Sequence, residues 1–111
     1  MDALTSGACN VAIGKNALGA STTGCLNIAI GQTALGGAIT TGDYNVALGT
    51  NAMDALTTGI CNIAMGHAAL GAATTGCRNV AIGEAMQAGT VTGIDNVAIG
   101  VLAGNDITSG S

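Results

Sequence analysis

TTGCLNIAIGQTALG, residues 22–36, sets an alanine between two β-branched residues and closes the group with glycines, and near-copies of it recur along the chain. TTGICNIAMGHAALG occupies residues 57–71, and TTGCRNVAIGEA occupies residues 74–85. Anchored on the asparagine, the copies put Asn10, Asn27, Asn45, Asn62, Asn79 and Asn96 at successive gaps of 17, 18, 17, 17 and 17 residues. Val or Ile follows each asparagine, then always alanine (Ala12, Ala29, Ala47, Ala64, Ala81, Ala98), then Ile, Leu or Met, then always glycine. A second glycine stands three residues before each asparagine. A period this regular sets the architecture before any local propensity is weighed.

The unit is shorter than the helical repeats, which need about 33 residues, and its apolar residues alternate with a period of two. It predicts one coil of a parallel β-solenoid or β-roll, so the chain reads as all-β, with about six 17-residue coils stacked ~4.8 Å apart. Alternation puts Val and Ile on one side of each strand and Asn and Ala on the other. The two glycines mark corners, where positive φ is often required. Stacked asparagines can hydrogen-bond along the rod and cap the turns, which makes them a structural ladder and not a catalytic set. An alanine column that never grows beyond a methyl group in six coils predicts close packing against another chain, with Ala12, Ala29, Ala47, Ala64, Ala81 and Ala98 as the chain–chain contacts.

A longer period lies on top. Residues 1–31 match residues 53–83 at 22 of 31 positions, so three coils form a 52-residue super-repeat and residues 1–111 form a single array. The sequence opens and closes inside a repeat with no distinct polar cap, which solenoids normally carry, and this predicts a segment of a longer fibre or end-to-end stacking.

The cysteines follow the long period: Cys9 and Cys61 directly precede their asparagines, whereas Cys25 and Cys77 lie two residues before theirs. Each pair is 16 residues apart, one coil up and one register along. Pairing of Cys9 with Cys25 and of Cys61 with Cys77 is feasible where the stretch bends; free thiols behaving as small hydrophobes are the alternative. Zinc is disfavoured, because no C-x-x-C or nearby histidine completes a ligand set.

Composition narrows the function classes. Charged residues are 7% of the chain, the formal net charge is −4, and the cations are Lys15 and Arg78 alone, which disfavours nucleic acid as a partner. Tyr44 is the single aromatic residue, so the core must be thin and filled by small side chains. No apolar run is long enough to enter a bilayer, and no basic stretch with a following apolar run marks a signal peptide, so export would need a signal outside this sequence. His67, Glu84, Asp43 and Asp95 occupy variable slots with no triad or carboxylate pair among them, and the glycine pattern lacks a phosphate-loop lysine. The expectation is a non-enzyme without catalytic, cofactor or metal residues.

TTGCLNIAIGQTALG, TTGICNIAMGHAALG and TTGCRNVAIGEA resemble the NTAIG-type repeats of phage and bacterial tail-fibre-like proteins. They are also similar to the shorter N-S-V-A-I-G repeats in the YadA-like heads of trimeric autotransporter adhesins. The resemblance implies a parallel β-roll in a homotrimeric fibre, with Val and Ile filling each chain's interior and the opposite face approaching the partner chains. It further implies a structural or adhesive fibre segment outside the cell, on a cell surface or on a virion, with a cell-surface glycan or receptor as a further partner. Two alternatives stand beside it. An ice-binding β-solenoid would use the stacked threonines, of which only one per coil can face outward, and a glycan-carrying extracellular fibril would use the Thr-Thr-Gly corners.

Overall fold

A computed structural model describes residues 4–85, 92–104 and 109. Six three-residue strands are described: β1 (Val11–Ile13), β2 (Ile28–Ile30), β3 (Val46–Leu48), β4 (Ile63–Met65), β5 (Val80–Ile82) and β6 (Val97–Ile99). They form one parallel sheet in the order β1-β2-β3-β4-β5-β6. The register follows the repeat, so that Ala12 pairs with Ala29, Ala29 with Ala47, and so on to Ala98. The architecture is a parallel β-solenoid, with extents of 34 × 22 × 17 Å.

Stacking continues well beyond the strands. Leu18 N–H donates to Ala34 O at 3.0 Å, Leu35 N–H to Ala52 O at 3.0 Å, and Met53 N–H to Ala69 O at 3.0 Å. The turn backbone is therefore paired coil to coil as the strands are, which meets the obligation of buried amides to find partners. The eighteenth residue of the second coil falls between Gly36 and Thr40, where Ser21 Oγ donates to Thr40 O and Thr40 Oγ1 to Leu56 O.

The interior differs from expectation. Ala29, Ala47, Ala64 and Ala81 are 0% exposed, and the core they share is completed by Ala17, Ala34, Ala52 and Ala69 and by the large side chains Leu18, Leu35, Met53, Leu56 and Leu70. Val and Ile of the strands lie on the outer side. The alanine column thus faces its own chain's core, and the expectation that Ala12, Ala29, Ala47, Ala64, Ala81 and Ala98 contact another chain is corrected: Ala12 is half-buried, and the other five are buried.

The physical reason lies in the asparagine beside each alanine. Asn and Ala share a strand face, and the Asn amide has to reach backbone groups of the following coil and the asparagine side chain of the preceding one, so that face turns inward. A coil of about 17 residues is too thin to take two β-branched columns as well.

The two glycine columns do different work. Gly14, Gly31, Gly49, Gly66, Gly83 and Gly100 have φ between 117° and 139°, a region that side chains rarely enter. The other column has ordinary φ and is glycine for space, since a Cβ on Gly42 would collide with Gly59 O, and one on Gly59 with Gly76 O.

Candidate functional site: an aliphatic sheet face and an outer corner

The outer side of the sheet carries two columns. One is Val11, Ile28, Val46, Ile63, Val80 and Val97; the other is Ile13, Ile30, Leu48, Met65, Ile82 and Ile99. Nine of these twelve side chains are exposed, Val46, Leu48 and Val80 being intermediate. Strand spacing makes the face about 24 Å tall from first to last strand, with its columns ~7 Å apart. None of the twelve is charged or polar.

Beyond the φ-positive glycines, the neighbouring column is polar at Lys15, Gln32, Thr50, His67 and Glu84, all exposed. His67 Nδ1 lies 3.8 Å from Glu84 Oε1, a long contact between two well-exposed groups. The sixth position of that column is the exposed Val101, so the apolar stripe has a polar rim along five of its six coils.

On the other side of the sheet stands the asparagine ladder. The backbone N–H of each asparagine donates to Oδ1 of the one before it: Asn27 to Asn10 at 2.8 Å, Asn45 to Asn27 at 2.8 Å, and Asn62, Asn79 and Asn96 to their predecessors at 3.0 Å. Nδ2 of Asn45, Asn62 and Asn79 donates both to the preceding Oδ1, at 3.1–3.2 Å, and to a glycine carbonyl of the following coil, at 2.7–2.9 Å. An amide side chain offers two donors and two acceptor lone pairs, and these three residues use all of them inside the protein. Asn27, Asn45, Asn62 and Asn79 are buried, Asn10 and Asn96 partly so. Asn45, Asn62 and Asn79 are thus fully satisfied within the ladder, which gives them a structural part in joining the coils.

Just before each asparagine the chain turns through a left-handed residue: Cys9, Leu26, Tyr44, Cys61, Arg78 and Asp95 have φ of 56–61°. Sequence reasoning missed this column, because none of its occupants is glycine and, apart from Cys9 and Cys61, they share no side-chain type. The bend breaks strand alternation, so this position and the one before it both reach the outside; Ala8, Ile60 and Ile94 are exposed, and Cys25, Asp43 and Cys77 are intermediate.

In this column Arg78 and Asp95 stack one coil apart and join twice, Nε to Oδ1 at 2.6 Å and Nη2 to Oδ2 at 2.9 Å. The hydrogen bond to Arg78 holds the Asp95 carboxyl below its ordinary range, and the same bond raises Arg78. Cys9, Cys25, Cys61 and Cys77 are free thiols in this structure.

Threonine hydroxyls join coils at the corner that precedes the asparagine, including Thr41 Oγ1, which donates to Thr57 O at 3.3 Å. Thr57 Oγ1 donates to Thr74 O at 2.9 Å, and Thr40 Oγ1 donates to Leu56 O at 2.9 Å, joining adjacent coils. The second threonines, Thr23, Thr41, Thr58, Thr75 and Thr92, form an exposed column.

Among the described residues no pocket opens and no three His, Cys, Asp or Glu side chains converge to hold a metal ion. No helix among them is long and apolar enough to cross a membrane. No family model, curated protein or solved structure matches the chain.

Proposed function

We propose that the chain is a segment of a structural or adhesive fibre outside the cell, and that copies of it associate side by side through the aliphatic sheet face. The observation that carries this reading is the face itself: twelve aliphatic side chains in one stripe, most of them exposed, with no charge among them. A contiguous apolar stripe rimmed by polar residues marks an association surface, since burying it removes about 25 cal/mol for each square ångström taken from water. The regular register also lets each contact made by one coil recur in the next, so that affinity grows with rod length. A homotrimer is the closed arrangement that the resemblance to tail-fibre and adhesin repeats implies, with a cell-surface glycan or receptor as the further partner.

Light scattering tests the association at micromolar concentration: an oligomer is expected, and a folded species of 10.5 kDa would overturn it. Ile63→Lys, on the exposed face, is expected to dissolve the oligomer while leaving the circular dichroism spectrum of the fold in place.

A second reading draws on the exposed threonine column. Thr23, Thr41, Thr58, Thr75 and Thr92 repeat at the coil spacing, and a flat array of hydroxyls beside methyl groups can order water as an ice-binding surface does. A monomer showing thermal hysteresis would favour it over the fibre.

A further inference from the structure

We propose that Cys9 with Cys25, and Cys61 with Cys77, are two inter-coil dithiols that close to disulfides when the protein meets an oxidised thiol such as glutathione disulfide, stapling neighbouring coils at the outer corner. The register carries the argument. Leu26 N–H donates to Ala8 O at 3.0 Å, and Arg78 N–H donates to Ile60 O at 3.0 Å, which sets Leu26 opposite Cys9 and Arg78 opposite Cys61. Cys25 and Cys77 immediately precede Leu26 and Arg78. A coil step of ~4.8 Å and an offset of one residue, ~3.3 Å, put the Cα atoms of each pair about 5.8 Å apart, within the ~4.4–6.8 Å that disulfides span.

Ordinary strand alternation would send the two side chains to opposite faces. The left-handed residue removes that obstacle, because Cys9 and Cys61 have φ of 59° and are exposed, while Cys25 and Cys77 are half-buried and not enclosed in the core. The Cys25 sulfur already lies against the neighbouring coil, accepting from Ala8 N–H at 3.4 Å, beside Cys9. The two corners repeat one another: Cys25 Sγ donates to Thr23 O at 3.3 Å and Cys77 Sγ to Thr75 O at 3.4 Å. Other pairings are out of reach. Cys25 and Cys61 are two coils apart, about 10 Å, and Cys9 and Cys61 are three coils apart, about 14 Å.

The chemistry is thiol–disulfide exchange. A thiolate of the pair attacks glutathione disulfide, forming a mixed disulfide and releasing one glutathione, which takes up the proton lost. The second thiolate attacks the protein sulfur of the mixed disulfide, forming the Sγ–Sγ bond and expelling a second glutathione. Each pair gives up two protons and two electrons, and one glutathione disulfide is reduced to two glutathiones.

The test incubates the folded protein with glutathione disulfide, blocks remaining thiols at low pH, and cleaves before aspartate without reduction. Because Asp43, Asp54 and Asp95 separate the two super-repeats, residues 2–42 and residues 54–94 are expected as separate fragments, each two hydrogens lighter than its reduced form. Persistent mixed disulfides, unreacted thiols or a link between the fragments would overturn the proposal. Chain proximity alone is separated by Cys9→Ser combined with Lys15→Cys, which brings the cysteines closer in sequence to Cys25 but seven positions away from it in the coil register. That variant, shown to be folded by circular dichroism, is expected to stop at the mixed disulfide; closure as fast as in the unaltered chain would also overturn the proposal.

Discussion

Asn62 sits between Asn45 and Asn79 with every hydrogen-bonding site of its amide in use, and its neighbours depend on it in turn. Replacing it with alanine strands Gly76 O and the Asn79 N–H in a buried column, each at about 1–3 kcal/mol. Asn62→Ala is therefore expected to cost several kcal/mol in chemical denaturation, a large share of the ~5–15 kcal/mol typical of a domain. Asp54 presents the opposite case, a residue whose burial works against it. Desolvation raises its carboxyl above the ordinary value, more than the backbone N–H groups of Asp54 and Ala55 lower it. A raised acid favours its neutral form in the fold, so its contribution is intact below the unfolded carboxyl's range and is lost as pH rises through the folded one. Asp54→Asn keeps an acceptor for those N–H groups without the charge. It is expected to raise the thermal midpoint at pH 7 and to give little or no gain at pH 3; equal gains at both would contradict the desolvation account.

A strand of three residues has one inward position, and in every coil that position is alanine. Ala64→Leu forces three more carbons into a closed interior, and the expected loss is about 1–3 kcal/mol of folding stability, seen in the denaturation midpoint at any protein concentration. His67→Ala and Thr50→Ala, at exposed rim positions, should change the midpoint little. Much of this was legible in the sequence: the period of 17, the strand at the residues around each alanine, the parallel stacking and the thinness of the core all follow from spacing and composition. The side of the sheet that faces inward was not. Alternation sorts residues into two sets but cannot say which set is inside, and hydrophobicity points the wrong way, toward Val and Ile. What decides it is the unmet hydrogen bonding of the glycine corner, which draws the asparagine in and the alanine with it. The left-handed bend was equally hidden, because Cys9, Leu26, Tyr44, Cys61, Arg78 and Asp95 share a backbone conformation, while only the two cysteines share a side chain.

At the scale of the whole molecule, the sheet, the asparagine ladder and the paired turns all connect one coil to the next. Their hydrogen bonds run along the 34 Å axis of the rod, while the covalent chain winds across it. That arrangement has a mechanical consequence. A tensile force applied at the two ends loads the coil-to-coil layers in series, so the weakest layer carries the full load and yields first. Each coil that peels away frees about 17 residues, or roughly 58 Å of extended chain, and single-molecule pulling of the reduced protein is expected to show a sawtooth with that increment. One abrupt release of the whole length would contradict independent layers. The side-by-side association proposed above would divide that load among several chains, so the force at the first release is expected to rise with the number of copies joined.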